Sequence, residues 1–529
     1  MIDATPATYS PPRLRDRPWM TLVIVAMGVI MVGIDGSVVA VANPYIGRDL
    51  HASLADLQWV TNAYLLVIAV TLILGGKLGD HFGRRRVFLI GVIGFSIASL
   101  AIGLVGTIDG VILLRGVQGA FGALLLPNTL ALLRAVYSPE DLNRAVGIWV
   151  SASATATAAG PIVGGLFVEH ISWQSVFFIN VPVGVVTVGL GIFALQESRE
   201  SERRHFDIPG VVTLALGLLA VVYALVKAQS WGWGSARTIG LIALGLALLV
   251  VFTAIERKTT NALVPLGVFQ DRSVSLSIVI VLLNFFALFG VLFFVGLYLQ
   301  SVHGYSPVAA GVRVLPLTIT FALSSNLGAR LTNRFGPWLP ITVGLLATAV
   351  ALLSLTTLQV DSPYVHLWPA FVLIGLGIGL VVTAATDAIV GNTPVDEAGV
   401  AGGIQGTAIQ LGGVLGTAVC GSILGAKVAG VLFGDLLASG VPPATAHRLV
   451  HATAVVSQGL APITGSDSRA LVDAITRGSH AAFMTGLHLT MMVASVVALV
   501  GAAMGPFIRR GRGAGAEGVP GEYVGGGGR

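Results

Sequence analysis

Charge is what this chain has least of. Only 10% of its 529 residues are Asp, Glu, Lys or Arg, against about a quarter in an ordinary soluble domain. With 55% apolar residues as well, the chain reads as a polytopic membrane protein and not as a soluble globule. The formal net charge of +5 is small for this length. The arginines stand at the ends of apolar runs instead of forming one stripe, which argues against a nucleic-acid surface. Cysteine is nearly absent: Cys420 is alone, in an apolar run, so no internal disulfide can form. There is no G-x-x-x-x-G-K-S/T loop, which argues against direct ATP drive by this chain. No apolar run holds paired histidines for a haem or metal, and His488 is the only clear histidine inside one, which weighs against a membrane enzyme or redox carrier. The first apolar run is too long for a cleavable signal peptide and lacks a small-residue cleavage site. Arginine outnumbers lysine by about six to one, a composition typical of GC-rich bacterial genomes.

What the chain has instead is long apolar runs. Windows of about nineteen residues give about fourteen candidate spans, from 19–41, 57–76 and 87–106 through 399–423 and 482–505. An even number puts both termini on one side. Roughly twenty-one basic residues fall on the side of the N-terminus and seven on the other, so the excess of positive charge predicts that both termini are cytoplasmic. Arg13, Arg15, Arg17, Arg84 to Arg86, Arg203, Arg204, Arg509 and Arg510 contribute to that excess.

The most informative stretch is Gly76-Lys77-Leu78-Gly79-Asp80-His81-Phe82-Gly83-Arg84-Arg85-Arg86, a charged, glycine-punctuated connection between two uncharged runs. So short a link predicts an antiparallel helix pair, with glycines for close approach and Asp80 placed to cap a helix end or pair with an arginine. It resembles the G-x-L-x-D-x-x-G-R-R/K loop of the major facilitator superfamily. A weaker copy lies about 253 residues on: Gly75–Gly83 aligns with Gly328–Gly336, keeping a basic residue, a leucine and Phe-Gly, with Asn333 in place of Asp80. That is the pattern of two parallel six-helix halves with substrate handled between them.

Two charged residues fall within spans. Asp35 lies in the first, and an ionised carboxyl there costs several kcal/mol unless it is paired or wet, so it is a candidate for proton or substrate handling; a static helix-packing bond is the alternative. Arg115, early in the fourth, must snorkel outward or meet a carboxylate. Its surroundings, Arg115-Gly116-Val117-Gln118-Gly119-Ala120-Phe121-Gly122, resemble the superfamily's R-x-x-Q-G-x-G motif, which implies proton coupling through Asp35 and Arg115. Ala159-Gly160-Pro161-Ile162-Val163-Gly164-Gly165 reads physically as a bending, tightly packed helix. By resemblance, Gly160, Pro161, Gly164 and Gly165 match the G-P-x-x-G-G motif of the exporters.

Further matches cover most of the chain. Trp59, Tyr64, Ser172-Trp173 through Phe178-Ile179-Asn180-Val181-Pro182-Val183-Gly184, Asp207 with Gly210, Tyr298-Leu299-Gln300, and Gly399 to Gly416 are similar to the fourteen-spanning drug:proton antiporters. Gln174, Ala40 and Asn43 depart from that family's pattern. Polar groups in or beside spans, Asn284, Gln300, Gln405 and Gln410, together with Asp387 in the twelfth span, are candidates for a substrate cavity.

The expected protein is therefore all-α, with the major facilitator fold and two additional central helices. It divides into a cytoplasmic segment 1–18, a six-helix bundle 19–196, a linker with two extra spans 197–258, a second bundle 259–505 interrupted by a long outer loop at about 432–481, and a tail 506–529. Pro443–Val456 in that loop has helical spacing. The resemblance implies a bacterial cytoplasmic-membrane transporter that exports amphipathic drugs or antibiotics against protons, as a monomer in the lipid bilayer, without cofactor or metal and without nucleic acid. Gly76, Asp80, Gly83, Arg84 and Arg85 would latch its cytoplasmic face. An uptake permease or a narrow-substrate exporter on the same fold is the alternative.

Overall fold

The computed structural model describes residues 17–199, 207–259, 262–264, 266–393, 398–463 and 468–509. The arginines expected at 13, 15, 203, 204 and 510, and the tail beyond 509, lie outside the described residues. Apolar runs become helices because backbone groups in hydrocarbon must satisfy one another within the segment. The first crossings are α1 (Pro18–Asp49), α2 (Leu54–Phe82), α3 (Arg84–Leu104), α4 (Ile108–Val136), α5 (Pro139–His170), and a broken crossing made of α6 (Ser175–Phe178) and α7 (Asn180–Ala194). Two more, α8 (Ile208–Trp231) and α9 (Ala236–Glu256), follow. Then come α10 (Arg272–Leu297), α11 (Pro307–Phe335), α12 (Trp338–Leu355), α13 (Trp368–Gly391) and α14 (Ala398–Ala438). After the short α15 (Pro443–Leu449) and α16 (Thr453–Val456), α17 (Arg469–Met504) closes the set. Fourteen segments are long and apolar enough to cross a membrane, as expected, and the described residues contain no strand.

Polar residues at the span ends start the helices. Ser53 and Asp56 form a reciprocal capping box on α2, and Thr107, Ser138, Ser235 and Ser306 each accept a backbone N–H at the start of α4, α5, α9 and α11. Such caps contribute about 1 kcal/mol each.

The charged connection is shorter than the sequence suggests. Most of Gly76–Arg86 belongs to the last turns of α2 and the first turn of α3, and Gly83 alone stands between the helices with φ +107°. Gly336, its counterpart in the repeat, ends α11 at φ +83°. Both turns need the left-handed region that only glycine enters cheaply. The end of the bundle that carries Gly83 is called the loop end below.

The loop expected at about 432–481 is also shorter. Apolar windows miss the amphipathic extensions of α14, 41 residues long, and α17, 36 residues long. At ~1.5 Å per residue both exceed the ~30 Å hydrocarbon core. The connection between them spans only 439–468, and Pro443–Val456 is helical as two short pieces, α15 and α16. It lies down on the bundle: the buried Gln458 Nε2 donates to the Ala52 carbonyl between α1 and α2 (3.0 Å).

Two seams join the first and last six crossings. Along α2 and α14, Gln58 Nε2 donates to the Thr417 carbonyl (2.5 Å), Thr417 Oγ1 donates to Asn62 Oδ1, and Thr407 Oγ1 donates to the Ala69 carbonyl (3.2 Å). α5 and α11 meet toward the end opposite the loop end, where the backbone N–H of Val308 donates to Glu169 Oε2 (3.0 Å). Nearer the loop end Ser151 and Thr155 of α5, and Asn326 and Arg330 of α11, are exposed. A polar row of this kind is costly against lipid and stable against water, which favours water over lipid beside that row. α8 and α9 pack on each other, and α8 also packs on α2 and α14.

Candidate functional site: a buried carboxylate–arginine network

Asp35 stands near the middle of α1 and is fully buried, as is Arg115, at 0% and 1% exposure. In a low-dielectric interior neither charge is tolerable alone, and the fold supplies each with the other. Arg115 Nη1 donates to Asp35 Oδ2 at 2.5 Å and to Gln118 Oε1 at 2.6 Å, and Arg115 Nε donates to the Val60 carbonyl at 3.0 Å. Gln118 Nε2 donates to Asp35 Oδ1 at 2.7 Å and to Ser99 Oγ at 2.7 Å. Asn180 Nδ2 reaches Asp35 Oδ1 at 3.1 Å and Ser99 Oγ at 3.2 Å. The Arg115 guanidinium also lies 4.0 Å from the centroid of the buried Tyr64 ring.

Local sequence explains the assembly. Arg115 and Gln118 are three residues apart on α4, so both project from one helix face. Gly119 lets α4 approach α2, since a Cβ there would stand 2.6 Å from the Tyr64 carbonyl oxygen. The break between α6 and α7 turns the Asn180 amide inward. Of the two outcomes open to Arg115, the structure takes the carboxylate. Gln118 and Asn180 lie in matched motifs, but an uncharged amide in a span gives no signal of its chemistry, and Ser99, inside an ordinary apolar run, carries no sequence signal of its own.

The glycine motif of α5 serves two neighbours. Gly160 and Gly164, one turn apart, face α1: a Cβ on Gly160 would collide with Ser37 Oγ, and one on Gly164 would stand 2.5 Å from Val38 Cγ2. Pro161 and Gly165, rotated by one position, face α11. A Cβ on Gly165 would lie 2.7 Å from the Pro307 carbonyl oxygen, and one on Gly311 would collide with the Pro161 carbonyl oxygen. The helix is thus clamped between α1 of its own half and α11 of the other. Asp35 lies two and three residues before the α1 side chains in that clamp.

At the loop end, Asp80 Oδ1 accepts from Arg84 Nε (2.9 Å), the pairing with an arginine that its position allows. The backbone N–H of Arg85 donates to Glu197 Oε1 (3.1 Å), Arg85 Nη2 donates to the Ile192 carbonyl (2.6 Å), and Arg86 Nε lies 3.6 Å from Glu197 Oε2. A Cβ on Gly83 would stand 2.5 Å from Glu197 Oε1, while Gly76 lets α2 rest on Pro127 of α4. These contacts hold the turn to the segment after α7, within the first half. Lys77 differs: its Nζ donates to the Ala262 carbonyl beyond α9 (2.6 Å).

The proposed cavity residues do not form one cluster. Asn284 is fully buried in α10, and among the described residues neither of its amide atoms has a hydrogen-bond partner. Gln300 lies in a π-helical turn, Tyr298–Val302, sixteen positions on, about 24 Å along the helix. Gln405 Nε2 donates to Thr386 Oγ1 at 2.6 Å, the neighbour of Asp387, which is exposed in the last turns of α13. Gln410 is half-buried on α14. Among the described residues no three His, Cys, Asp or Glu side chains gather as metal ligands.

The profile of the Major Facilitator Superfamily matches residues 25–417. The chain is 45% identical over 501 residues to a tetracenomycin C resistance and export protein of Streptomyces glaucescens, covering 94% of this chain and 93% of that one. It is 31% identical over 504 residues to the multidrug efflux pump LfrA of Mycolicibacterium smegmatis, covering 95% and 98%. In fold it is similar to a bacterial homologue of the human lysosomal transporter Spinster, crystallised inward-facing and unoccupied, with a TM-score of 0.62, 17% identity, and coverage of 94% of this chain and 99% of that one.

Proposed function

The chain belongs to the Major Facilitator Superfamily, and on that premise we propose that it exports an amphipathic drug or antibiotic from a bacterial cell in exchange for protons. The observation that carries the coupling is the saturated Asp35–Arg115 network. In this state Asp35 is an ionised acceptor, since Arg115, Gln118 and Asn180 all donate to it. A proton taken up by Asp35 removes the charge that holds α1 to α4. Arg115 keeps the Val60 carbonyl, Gln118 Oε1 and the Tyr64 ring, but its buried charge has lost its counter-ion, and that cost favours a change of state. α1 is then free to shift against the Gly160 and Gly164 face of α5, and as the end opposite the loop closes α5 and α11 come together at Pro161 and Gly165. Spatial continuity supports this route; coupling along it is part of the proposal.

With both termini cytoplasmic, the loop end faces the cytoplasm, and the state described here is closed outside and wet inside. That is the state that releases a proton inward and admits the drug. Asp35 takes its proton in the alternate, outward-open state, and protonation favours return to the inward-open one. The drive is the proton gradient plus ~2.3 kcal/mol per charge per 100 mV. The two helical halves, 19–196 and 259–505, would rock against each other as one monomer.

Narrow specificity is favoured over broad, because the relative at 45% identity is named for one antibiotic, whereas the multidrug pump stands at 31%. Inside-out membrane vesicles energised by respiration test the direction. Drug accumulation that a protonophore collapses supports export, and accumulation only in right-side-out vesicles overturns it.

A further inference from the structure

The two extra helices bring together a pair of buried carboxyls that the export mechanism does not use. Asp207 caps the start of α8 and Glu256 is the last residue of α9, at 6% and 3% exposure. Each spends one oxygen on a backbone donor: Asp207 Oδ1 accepts from Gly210 N–H (2.8 Å), and Glu256 Oε2 accepts from Val264 N–H (3.0 Å). Among the described residues the other two oxygens, Asp207 Oδ2 and Glu256 Oε1, are buried without a donor. They converge on one spot, for a Cβ on Gly210 would stand 2.5 Å from the first and 2.7 Å from the second. Two ionised carboxylates cannot share such a place, whereas a proton between them turns the contact into a hydrogen bond.

We propose that Asp207 and Glu256 share one proton, forming a second protonation site at the loop end of the inserted helix pair. The helix ends decide where it sits. Asp207 lies at the positive N-terminus of α8, which favours an anion, and Glu256 at the negative C-terminus of α9, which does not. Glu256 therefore carries the proton and donates to Asp207. The charged group facing the pair from α2 is Lys77, within electrostatic reach of Glu256. Lys77 Nζ holds the Ala262 carbonyl, and two residues on, Val264 N–H is held by Glu256. One short segment thus ties the charged turn of α2 to the protonated carboxyl. Loss of the proton leaves two anions in contact, parts the ends of α8 and α9, and drags that segment against Lys77. The pair would make the loop-end gate sensitive to pH on its own side of the membrane.

Infrared difference spectroscopy on the full-length protein in lipid tests the shared proton without reference to transport. Native minus Glu256→Gln should show the C=O stretch of a protonated carboxylic acid at neutral pH, lost as the pH is raised. In Asp207→Asn, which removes the anion facing that proton, the Glu256 band should disappear at a lower pH than in the native protein. If only ionised carboxylate bands appear, the proposal is overturned, and their response to added sodium or potassium would identify a bridging metal cation instead. The link to the gate is read separately in proteoliposomes. Native transport should fall as the pH at the loop end rises, and Glu256→Gln, which keeps a permanent donor, should abolish that fall. Superimposable pH profiles would overturn the link.

Discussion

At the scale of single residues, the network around Asp35 is tight because each member serves two others. Gln118 makes three of its bonds: it donates to Asp35 and to Ser99 and accepts from Arg115. Hydrogen bonds to charged groups contribute about 1.5–3 kcal/mol each. Gln118→Leu should therefore lower the thermal unfolding midpoint and slow drug-dependent proton flux at least tenfold, as read in detergent unfolding and liposome assays; native-like flux would show that the amide is dispensable. Gly83 is constrained differently. An alanine there must hold φ near +107° and push a Cβ into Glu197, so Gly83→Ala should cost at least ~1–2 kcal/mol, measurable as a lower unfolding midpoint. Sequence alone placed the charges, Asp35 and Arg115, because an ionised group in a long apolar run stands out. It could not place Ser99, whose hydroxyl looks like any other in a span until the surrounding helices bring it beside Gln118 and Asn180.

At the scale of elements, α5 shows why one motif reads ambiguously. Gly160/Gly164 and Pro161/Gly165 are two i,i+4 pairs offset by one residue, so one short stretch presents two faces to two partners. Substitutions on the two faces should separate. Gly160→Ala overpacks the contact with α1 inside one half, at a cost of about 1–3 kcal/mol, and should appear first as lost stability. Gly165→Ala obstructs the contact with α11, which on the proposed alternating access is made in the state closed opposite the loop end and released in the other. It should leave the unfolding midpoint near native while transport falls; equal losses of stability in both variants would contradict the two-face reading. Helix lengths were the least legible feature. The extensions of α14 and α17 beyond the apolar windows are amphipathic, with Leu424, Val428, Leu432 and Leu436 buried at one-turn intervals, and packing of that stripe among protein keeps them helical.

At the scale of the whole molecule, the count of crossings and the repeat centred on Gly83 and Gly336 were legible because both rest on composition and on a backbone angle that glycine alone enters cheaply. How the halves meet was not, since pairing of α2 with α14 and of α5 with α11 depends on contacts hundreds of residues apart. The arrangement described here joins the halves at Glu169 and Val308 and leaves Ser151 and Asn326 exposed toward the loop end. Spin labels replacing Ser151 and Asn326 should draw together, and labels replacing Glu169 and Val308 should separate, when the protein is acidified on the side opposite the loop end; unchanged distances at both ends would argue against alternating access.

The central claim is that export is driven by protons through Asp35. The most direct measurement is drug-dependent proton movement across liposomes containing a pH-sensitive dye, with native protein compared with Asp35→Asn of equal amount and monodispersity. On that claim, flux is expected in the native protein and none in the variant. Undiminished flux in Asp35→Asn would contradict it and move the coupling site elsewhere in the fold.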